Sequence, residues 1–333
     1  MAEWIYEDGI GEARAALIED GVILSAEIEA DDDGPTAGTV AKARLTRISV
    51  PGRRGLVRLD DGTEALIEPL PRGVTEGGTL LVEIRRAALP EPGRAKLALA
   101  RQASPDAAPM IGPGLFERIG VMGLPVRRLG AHEPDALEAA GWSELLEEAR
   151  SGEVGFDGGG LRLSLTPAMS LIDVDGWLDS AALAVAGASA AAAMIVRHGI
   201  EGSIGIDLPT AGSKAARQAA ADAVDAILPQ PFERTAVNGF GFLQIVRPRR
   251  RASLPERLQG DGVGAAARAL LRRAERTPGA GARSIGAHPA VIERIAGRAD
   301  WQAELARRIG APIALRPDAR LVISGGHVDA ENP

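Results

Sequence analysis

The 333-residue chain contains no cysteine, and aromatic residues make up only 3% of it. Without cysteine the protein has no disulfide bond, no thiolate nucleophile and no cysteine-ligated zinc, so we expect no zinc cofactor. This composition suits the reducing cytoplasm, which is the location we predict. Because rings are scarce, the cores must be built from alanine, leucine, valine and isoleucine.

The sequence also lacks a long hydrophobic run. Its first residues, MAEWIYEDGIGEA, are acidic and show no basic segment followed by an apolar one, so no secretory signal is predicted. The most apolar stretch, residues 181–196, is shorter than the roughly 20 residues that span a bilayer, and it is mostly alanine and glycine. We therefore predict a buried helix there and no association with a membrane.

A surplus of positive charge is absent from the chain as a whole, whose net charge is −7. The charge is nevertheless segregated, because residues 36–100 carry eleven arginine and lysine residues against seven aspartate and glutamate residues. A local basic surplus in an acidic protein is compatible with a nucleic-acid-binding module.

Short strands are indicated in the first hundred residues. Residues 13–30 are typical of a hairpin that turns at Glu19-Asp20-Gly21, and the acidic stretch that follows reads as a linker. Residues 40–100 alternate short apolar segments with turns, which favours a small antiparallel barrel. Residues 115–150 show helical periodicity instead.

The middle of the chain alternates strands with helices, as α/β proteins do. The predicted elements are a strand over 161–174, a helix around 178–198, a strand over 203–207, a helix over 213–228 capped by Ser213, and a strand over 241–247. A small terminal αβ unit follows, with a helix near 263–276, a strand over 282–287, helices through 289–309, and strands over 312–316 and 320–326.

Carboxylates lie at the ends of two of these strands. Asp173 and Asp175 fall on one side of a strand because strand side chains alternate, and Asp207 ends the next strand. If a helix joins the two strands as a right-handed crossover, Asp173 and Asp207 lie at the same end of one sheet. Converging carboxylates there can hold Mg²⁺, which activates water and stabilises charge on a phosphodiester. The alternative is that these acids only start a turn or cap a helix.

The order of motifs resembles that of the ribonuclease E/G family. The stretch GFDGGGLRLSLTPAMSLIDVDG is similar to the family's catalytic strand, and GIDL is similar to its next strand. The stretch NGFGFLQIVRPRR resembles the arginine-rich strand that follows. The N-terminal hairpin resembles the one that receives an OB-fold insert, and HPAVIERI with RLVISGGH resembles the family's small domain.

This resemblance implies a multi-domain α/β protein with an RNase H-like and DNase I-like catalytic core, an inserted OB-fold barrel and a small C-terminal αβ domain. The corresponding division is an N-terminal hairpin of the RNase H-like part over 1–35, an OB-fold RNA-binding domain over 36–102, a reduced RNase H-like part with a remnant of the 5′ sensor over 103–160, a DNase I-like catalytic domain over 161–251, and the small domain over 252–333.

The activity that the resemblance implies is Mg²⁺-dependent endonucleolytic cleavage of single-stranded RNA. Asp173 and Asp207 take the places of the family's metal ligands, and Asp175, where the family usually has asparagine, is the third expected catalytic residue. The expected RNA-binding residues are Arg53, Arg54, Arg58, Arg94, Lys96, Lys214, Phe240, Arg247 and Arg249. For the barrel cations and Lys214, the alternative is a plain solvated surface role.

Four departures from the family pattern leave other interpretations open. Residues 36–100 contain no aromatic ring to stack on RNA bases, and Thr210 replaces a second acid after Asp207. The segment expected to sense a 5′ monophosphate is compressed, so we expect no sensor. The cysteines that link larger members through zinc are absent, so any homo-oligomer is not linked by zinc. The alternatives are an RNA-binding relative with little or no nuclease activity, or a structural partner in a larger assembly.

Overall fold

The computed structural model describes residues 1–91, 93 and 95–332 and shows a mixed α/β protein. Its N-terminal strands form an antiparallel meander: β1 (Glu3–Asp8), β2 (Glu12–Glu19) and β3 (Val22–Ala30). The predicted hairpin is confirmed as β2 and β3, which turn at Asp20 and Gly21, both with positive φ. The strand β1 was not predicted from the sequence.

The predicted small barrel is confirmed as a closed five-stranded barrel, which is compatible with an inserted OB-like domain. It is not wholly antiparallel as predicted, because β6 and β8 pair in parallel. Its strands are β4 (Val40–Val50), β5 (Arg54–Leu59), β6 (Glu64–Ile67), β7 (Thr79–Arg86) and β8 (Ala98–Gln102), joined in the order β4-β5-β6-β8-β7. Leu45, Val57 and Ile84 fill its interior with no accessible surface. As the sequence requires, this core contains no ring.

Residues after the barrel complete the N-terminal sheet. They form α1 (Leu115–Gly120), β9 (Val126–Arg128), α2 (Ala136–Ala139) and α3 (Trp142–Ser151). β9 was not predicted; it pairs in parallel with β1, with Trp4 opposite Val126, and gives the strand order β3-β2-β1-β9. α1 packs on one face of this sheet, and α2 and α3 pack on the other.

A six-stranded sheet occupies the middle of the chain. Its elements are β10 (Glu153–Phe156), β11 (Gly159–Leu165), β12 (Ser170–Gly176), α4 (Ser180–Arg197), β13 (Gly202–Asp207), α5 (Lys214–Ile227), β14 (Glu233–Arg234) and β15 (Phe242–Arg247). The strand order is β10-β11-β12-β13-β15-β14. β10 lies before the division predicted at residue 160, yet it pairs with β11.

The single strand predicted over 161–174 is wrong, because a turn divides it into β11 and β12. The Thr166 hydroxyl accepts a hydrogen bond from the Met169 amide at 3.0 Å and donates one to the Met169 carbonyl at 2.7 Å. Two hydrogen bonds between residues three apart close the chain into a tight turn. β11 and β12 are therefore antiparallel partners, and β11 adds a strand to the sheet that carries Asp173.

The alanine-rich segment is the predicted buried helix, α4. In the described residues it is the one helix long and apolar enough to cross a membrane, but it packs inside the protein. A Cβ added at Gly187 would lie 2.3 Å from Val174, so small residues let α4 approach the sheet closely. One face of α4 is thus packed closely against the sheet.

The C-terminal residues form the predicted αβ unit around a three-stranded sheet, β17-β16-β18. Its elements are α6 (Leu254–Gly260), α7 (Gly262–Arg276), β16 (Ala280–Ala287), α8 (Pro289–Ala296), α9 (Ala299–Ile309), β17 (Ile313–Pro317) and β18 (His327–Asn332). The strand predicted over 320–326 is wrong, since those residues form turns in which the Gly325 amide bonds the Val322 carbonyl. The helix α6 was not predicted.

Buried ion pairs join the C-terminal unit to the N-terminal sheet. The carboxylate of Glu7, which is only 5% exposed, accepts hydrogen bonds from Arg14, Arg272 and Arg276 at 2.7–3.2 Å. Burial by itself raises the pKa of Glu7, but these three guanidinium groups outweigh it and hold that pKa below its usual value. Glu7 therefore stays ionised at the centre of this junction.

The acidic stretch after β3 is also part of this junction rather than a free linker. Asp31, Asp32 and Asp33 each pair with arginine from the C-terminal unit. The nearest nitrogen–oxygen distance is 2.5 Å for Asp31 and 2.6 Å for Asp33. The pairs are Asp31 with Arg298, Asp32 with Arg268 and Arg294, and Asp33 with Arg257. The segment that precedes the barrel in the sequence is thereby held to the C-terminal unit that follows it.

Candidate active site

One row of residues crosses five strands of the six-stranded sheet. In register order it runs Glu153, Arg162, Asp173, Asp207 and Phe242. Asp173 and Asp207 are direct partners on the parallel strands β12 and β13, as their placement at the end of each strand predicted. Neighbouring strands lie about 4.8 Å apart, so the two aspartates stand side by side on one face.

The face that carries this row is open. The residues that alternate with it, such as Ile172, Val174 and Ile206, are buried beneath α4 and α5. On the row's own face, Asp207, Asp175 and Arg162 are exposed and Asp173 is half-buried. The helices therefore cover one side of the sheet and leave the aspartates accessible to a ligand from the other side.

Negative charge is in excess on this face. Glu153, Asp173, Asp175 and Asp207 supply four carboxylates, while Arg162 supplies one guanidinium group directly opposite Asp173. Arg162 is 3.5 Å from the nearer Glu153 oxygen, and its side chain is 72% exposed. Side-by-side carboxylates repel one another, and a bound cation offsets that repulsion.

The donor set fits Mg²⁺ rather than a metal caged by protein alone. Within the described part of the chain, no three histidine, aspartate or glutamate side chains converge closely enough to hold a metal ion. Mg²⁺ commonly takes only one or two carboxylates from protein, with water and phosphate oxygens as its remaining ligands. Asp173 and Asp207 supply such a pair, and Asp175 lies two residues further along the same face.

A trough without side chains runs beside the row. Gly155 and Gly160 are register partners on β10 and β11, and Asp175 faces Gly160 on β12. A Cβ added at Gly155 would meet no atom within 4 Å, and one at Gly160 would meet only the Val154 carbonyl at 3.8 Å. The resulting hollow of about 340 Å³ reaches Asp173 and Asp175. Its size lets part of an extended ligand approach the carboxylates.

The cations predicted on the barrel are already paired with carboxylates. Arg53 and Arg54 both contact Glu68, at 3.3 and 2.7 Å, and Arg58 contacts Glu64 at 2.8 Å. Exposed pairs of this kind contribute at most about 1 kcal/mol, so a phosphate group can compete for them. Arg94, also predicted to contact RNA, lies outside the described residues.

Lys96 connects the barrel to the six-stranded sheet. Its ammonium group pairs with Glu91 at 2.5 Å and donates a hydrogen bond to the Pro167 carbonyl at 3.0 Å. Pro167 belongs to the turn that precedes β12, on the strand that leads to Asp173. The barrel therefore contacts the turn before β12, at the other end of this strand from Asp175.

Two arginines expected to bind RNA lie at the opposite end of the sheet from Asp207. Arg247 is the register partner of Gly202, at the start of β13, and donates to the Ile200 carbonyl at 2.8 Å. Burial lowers the pKa of Arg247, with Arg251 adding to this and Glu201 opposing it. Arg249 is paired with Glu256 on α6. Arg247 thus contacts the segment before β13 and Arg249 contacts α6, and neither lies with the carboxylates.

The remaining predicted residues lie at the aspartate end of the sheet. Lys214 begins α5 directly after its cap, Ser213, whose hydroxyl accepts the Ala216 amide at 3.0 Å. Phe240 precedes β15 and is 83% exposed. Trp177, which follows β12 and is 79% exposed, was not singled out from the sequence. An aromatic residue directly after an acid-ended strand is the sequence signal that could have identified it.

Sequence reasoning also missed Glu153 and Arg162. Both belong to strands whose pairing depends on the turn at Thr166–Met169, and without that turn neither residue could be placed in register with Asp173.

A scan against known protein families finds no match for this chain, and a search of curated proteins finds none either.

Proposed function

We propose that this protein is a Mg²⁺-dependent endoribonuclease that cleaves single-stranded RNA. The observation that carries the proposal is the pairing of Asp173 with Asp207 on the open face of the sheet, beside a trough free of side chains. The order of motifs similar to the ribonuclease E/G family, together with the inserted barrel, supports RNA as the substrate. We propose the cytoplasm as its location.

The residues of the row divide the work of such a reaction between them. Asp173 and Asp207 would hold the ion, and Asp175, two residues further along the same face, would accept hydrogen bonds from water beside it. When bound, Mg²⁺ lowers the pKa of water and stabilises negative charge on the reacting phosphate. Arg162 lies next to Asp173 and offers planar guanidinium donors to a neighbouring phosphate oxygen. The glycines of the trough keep the approach to these side chains open.

Replacement of one carboxylate tests the proposal. Asp207→Asn keeps the size of the side chain but removes a charged ligand, and Asp207 is exposed, so the fold is unaffected. We expect cleavage of a labelled single-stranded RNA in Mg²⁺ to fall about 100-fold or more. Asp222→Asn, an exposed aspartate on α5 outside the row, is the matched control and keeps full activity.

Near wild-type cleavage by the Asp207→Asn variant, with contaminating nucleases excluded, contradicts the proposal. The second candidate function is an RNA-binding protein without nuclease activity. The absence of aromatic residues from residues 36–100 and the pairing of the barrel arginines with glutamates favour weak or altered RNA engagement there. RNA binding by the wild-type protein without cleavage in Mg²⁺ supports this candidate.

A further inference from the structure

Two aromatic side chains stand exposed at the end of the sheet that carries the aspartates. Of the ten aromatic residues in the chain, Trp177 and Phe240 are 79% and 83% exposed, and none of the other eight exceeds 36%. The other three tryptophans are only 2% exposed. Large apolar side chains are normally withdrawn from water, so the placement of both exposed rings at one sheet edge points to a ligand.

The main chain holds Phe240 firmly in this position. The Asn238 side-chain oxygen accepts the amides of Phe240 and Phe242 at 2.8 and 3.1 Å. Gly241 has a φ of +97°, and a Cβ there would lie 2.1 Å from the Leu208 carbonyl oxygen. Only glycine fits at position 241, and the two hydrogen bonds to Asn238 hold the main chain on both sides of it, so Phe240 projects from a hydrogen-bonded turn.

Trp177 is anchored in the same way. Its amide donates a hydrogen bond to the Gly158 carbonyl at 3.1 Å, and two residues later Asp179 caps α4 by accepting the amides of Ala181 and Ala182. Between them, Leu178 packs over Gly158. The ring is thus exposed on a hydrogen-bonded backbone between a strand and a helix. Because the backbone is already ordered and the tryptophan side chain has few rotatable bonds, little conformational entropy is lost when the ring binds a flat ligand.

Both rings lie within reach of the carboxylate pair. Trp177 lies four positions after Asp173, a span of at most about 14 Å. Phe240 precedes Phe242, the register partner of Asp207, by two residues, which adds at most about 7 Å. The carboxylate row therefore lies within about two or three nucleotides of an extended strand from each ring.

We propose that Trp177 and Phe240 form a stacking platform for unpaired bases of a single-stranded RNA whose backbone lies at the carboxylate row. This rests on the proposed function, since it takes Asp173 and Asp207 as the place where the phosphate is held. Every base presents a flat face, so stacking of this kind tolerates different sequences. Residues 36–100 contain no aromatic side chain, and the platform provides aromatic contacts near the catalytic residues instead.

The charge around the rings disfavours a membrane as the partner. Asp175 and Asp179 lie two residues before and after Trp177, and both are exposed. Membrane-surface segments instead combine exposed aromatics with lysine and arginine, which are attracted to anionic lipids. A metal-bound RNA strand does not meet this repulsion, because the cation offsets the carboxylates at the row.

The test separates base stacking from cleavage by using an uncharged probe. A single-stranded adenosine decamer with methylphosphonate linkages cannot bridge a metal ion, so neither metal binding nor cleavage contributes to its affinity. We expect it to quench the fluorescence of Trp177, the one exposed tryptophan. The affinity of every protein is measured by the fluorescence anisotropy of a dye-labelled decamer, which does not depend on Trp177. Trp177→Ala should weaken binding about 5- to 100-fold and Trp177→Phe by less than about threefold, because phenylalanine retains a stacking face.

Two controls make the result specific. The same decamer without bases should neither bind nor quench. Val121→Ala removes an 86% exposed apolar side chain beside α1, on the N-terminal sheet, and should leave affinity unchanged. Thermal melting of each variant checks the fold.

The outcomes distinguish the two proposals. Stacking on Trp177 in a protein that does not cleave RNA supports the platform and overturns only the nuclease. Asp207-dependent cleavage together with an affinity of Trp177→Ala equal to that of the wild type overturns the platform alone. Quenching by anionic lipid vesicles, with no response to the decamer, also overturns the platform.

Discussion

Glu7→Gln should destabilise the protein by about 3 kcal/mol, through the junction between the N-terminal sheet and the C-terminal unit. The substitution keeps the shape of the side chain but removes a buried negative charge that contacts Arg14, Arg272 and Arg276. Removal of one member of a buried ion pair costs roughly 3–5 kcal/mol. The lower end applies because Arg14 retains Glu12 at 2.7 Å and Arg272 retains Asp135 at 2.8 Å.

The measurement is the free energy of unfolding from urea titration, followed by tryptophan fluorescence and circular dichroism. Glu304→Gln is the matched control: its carboxylate pairs with Arg307 and Arg308 on the surface of α9, so it should cost less than about 1 kcal/mol. A Glu7→Gln protein within 0.5 kcal/mol of the wild type, on the scale of the roughly 3 kcal/mol expected, refutes the reasoning.

The pH dependence of the same variant provides a second check. The pKa of Glu7 is below its unfolded value of 4.5, so its contribution to stability is present above pH 4.5 and is lost as the pH falls through the folded pKa. Glu7→Gln lacks this contribution at every pH. The difference in unfolding free energy between wild type and variant should therefore shrink as the solution is acidified below pH 4.5.

The remaining predictions concern the RNA site. Gly160→Val should lower RNA cleavage about tenfold or more with no loss of melting temperature, because the valine side chain fills the trough and makes only ordinary van der Waals contacts. The control is Ser164→Val, on the same strand and face beyond Arg162. Equal activity of the two variants contradicts a role for the trough in cleavage. RNAs with a 5′ monophosphate, triphosphate or hydroxyl should be cut at similar rates, with binding that weakens steeply as salt is added; a tenfold preference for the monophosphate, about 1.4 kcal/mol, shows that a sensor is present.

Local patterns predicted the parts of the fold that depend on neighbours in sequence. A turn, a hydrophobic periodicity or a helix cap can be recognised from a few residues. Such signals predicted the hairpin of β2 and β3, the barrel strands, α4, and α5 with its Ser213 cap. α6 carried such a signal as well and was missed: Ser253 and Glu256 form a reciprocal capping box at its start.

Elements defined by distant partners could not be read in this way. β9 is three residues long and exists because β1, over a hundred residues earlier, offers it a free edge. The placement of Asp173 beside Asp207 was predictable because one helix joins two parallel strands, whereas Glu153 and Arg162 needed the register of two further strands. The side-chain contacts of Arg247 and Arg249 depend on packing, which no spacing in the sequence reveals.

The junction around Glu7 has a consequence for how the chain folds as it is synthesised. β1 leaves the ribosome first, but its parallel partner β9 is made only at residues 126–128, and Arg272 and Arg276 come later still. At 5–20 residues per second, roughly 13–55 s pass before the charge on Glu7 can be neutralised from that side. During this interval all the barrel strands are made, whereas β1 has β2 as a partner on one edge and no partner on the other until β9 is made. An unpaired strand edge can pair with another chain, so this edge of β1 is open to aggregation until β9 covers it.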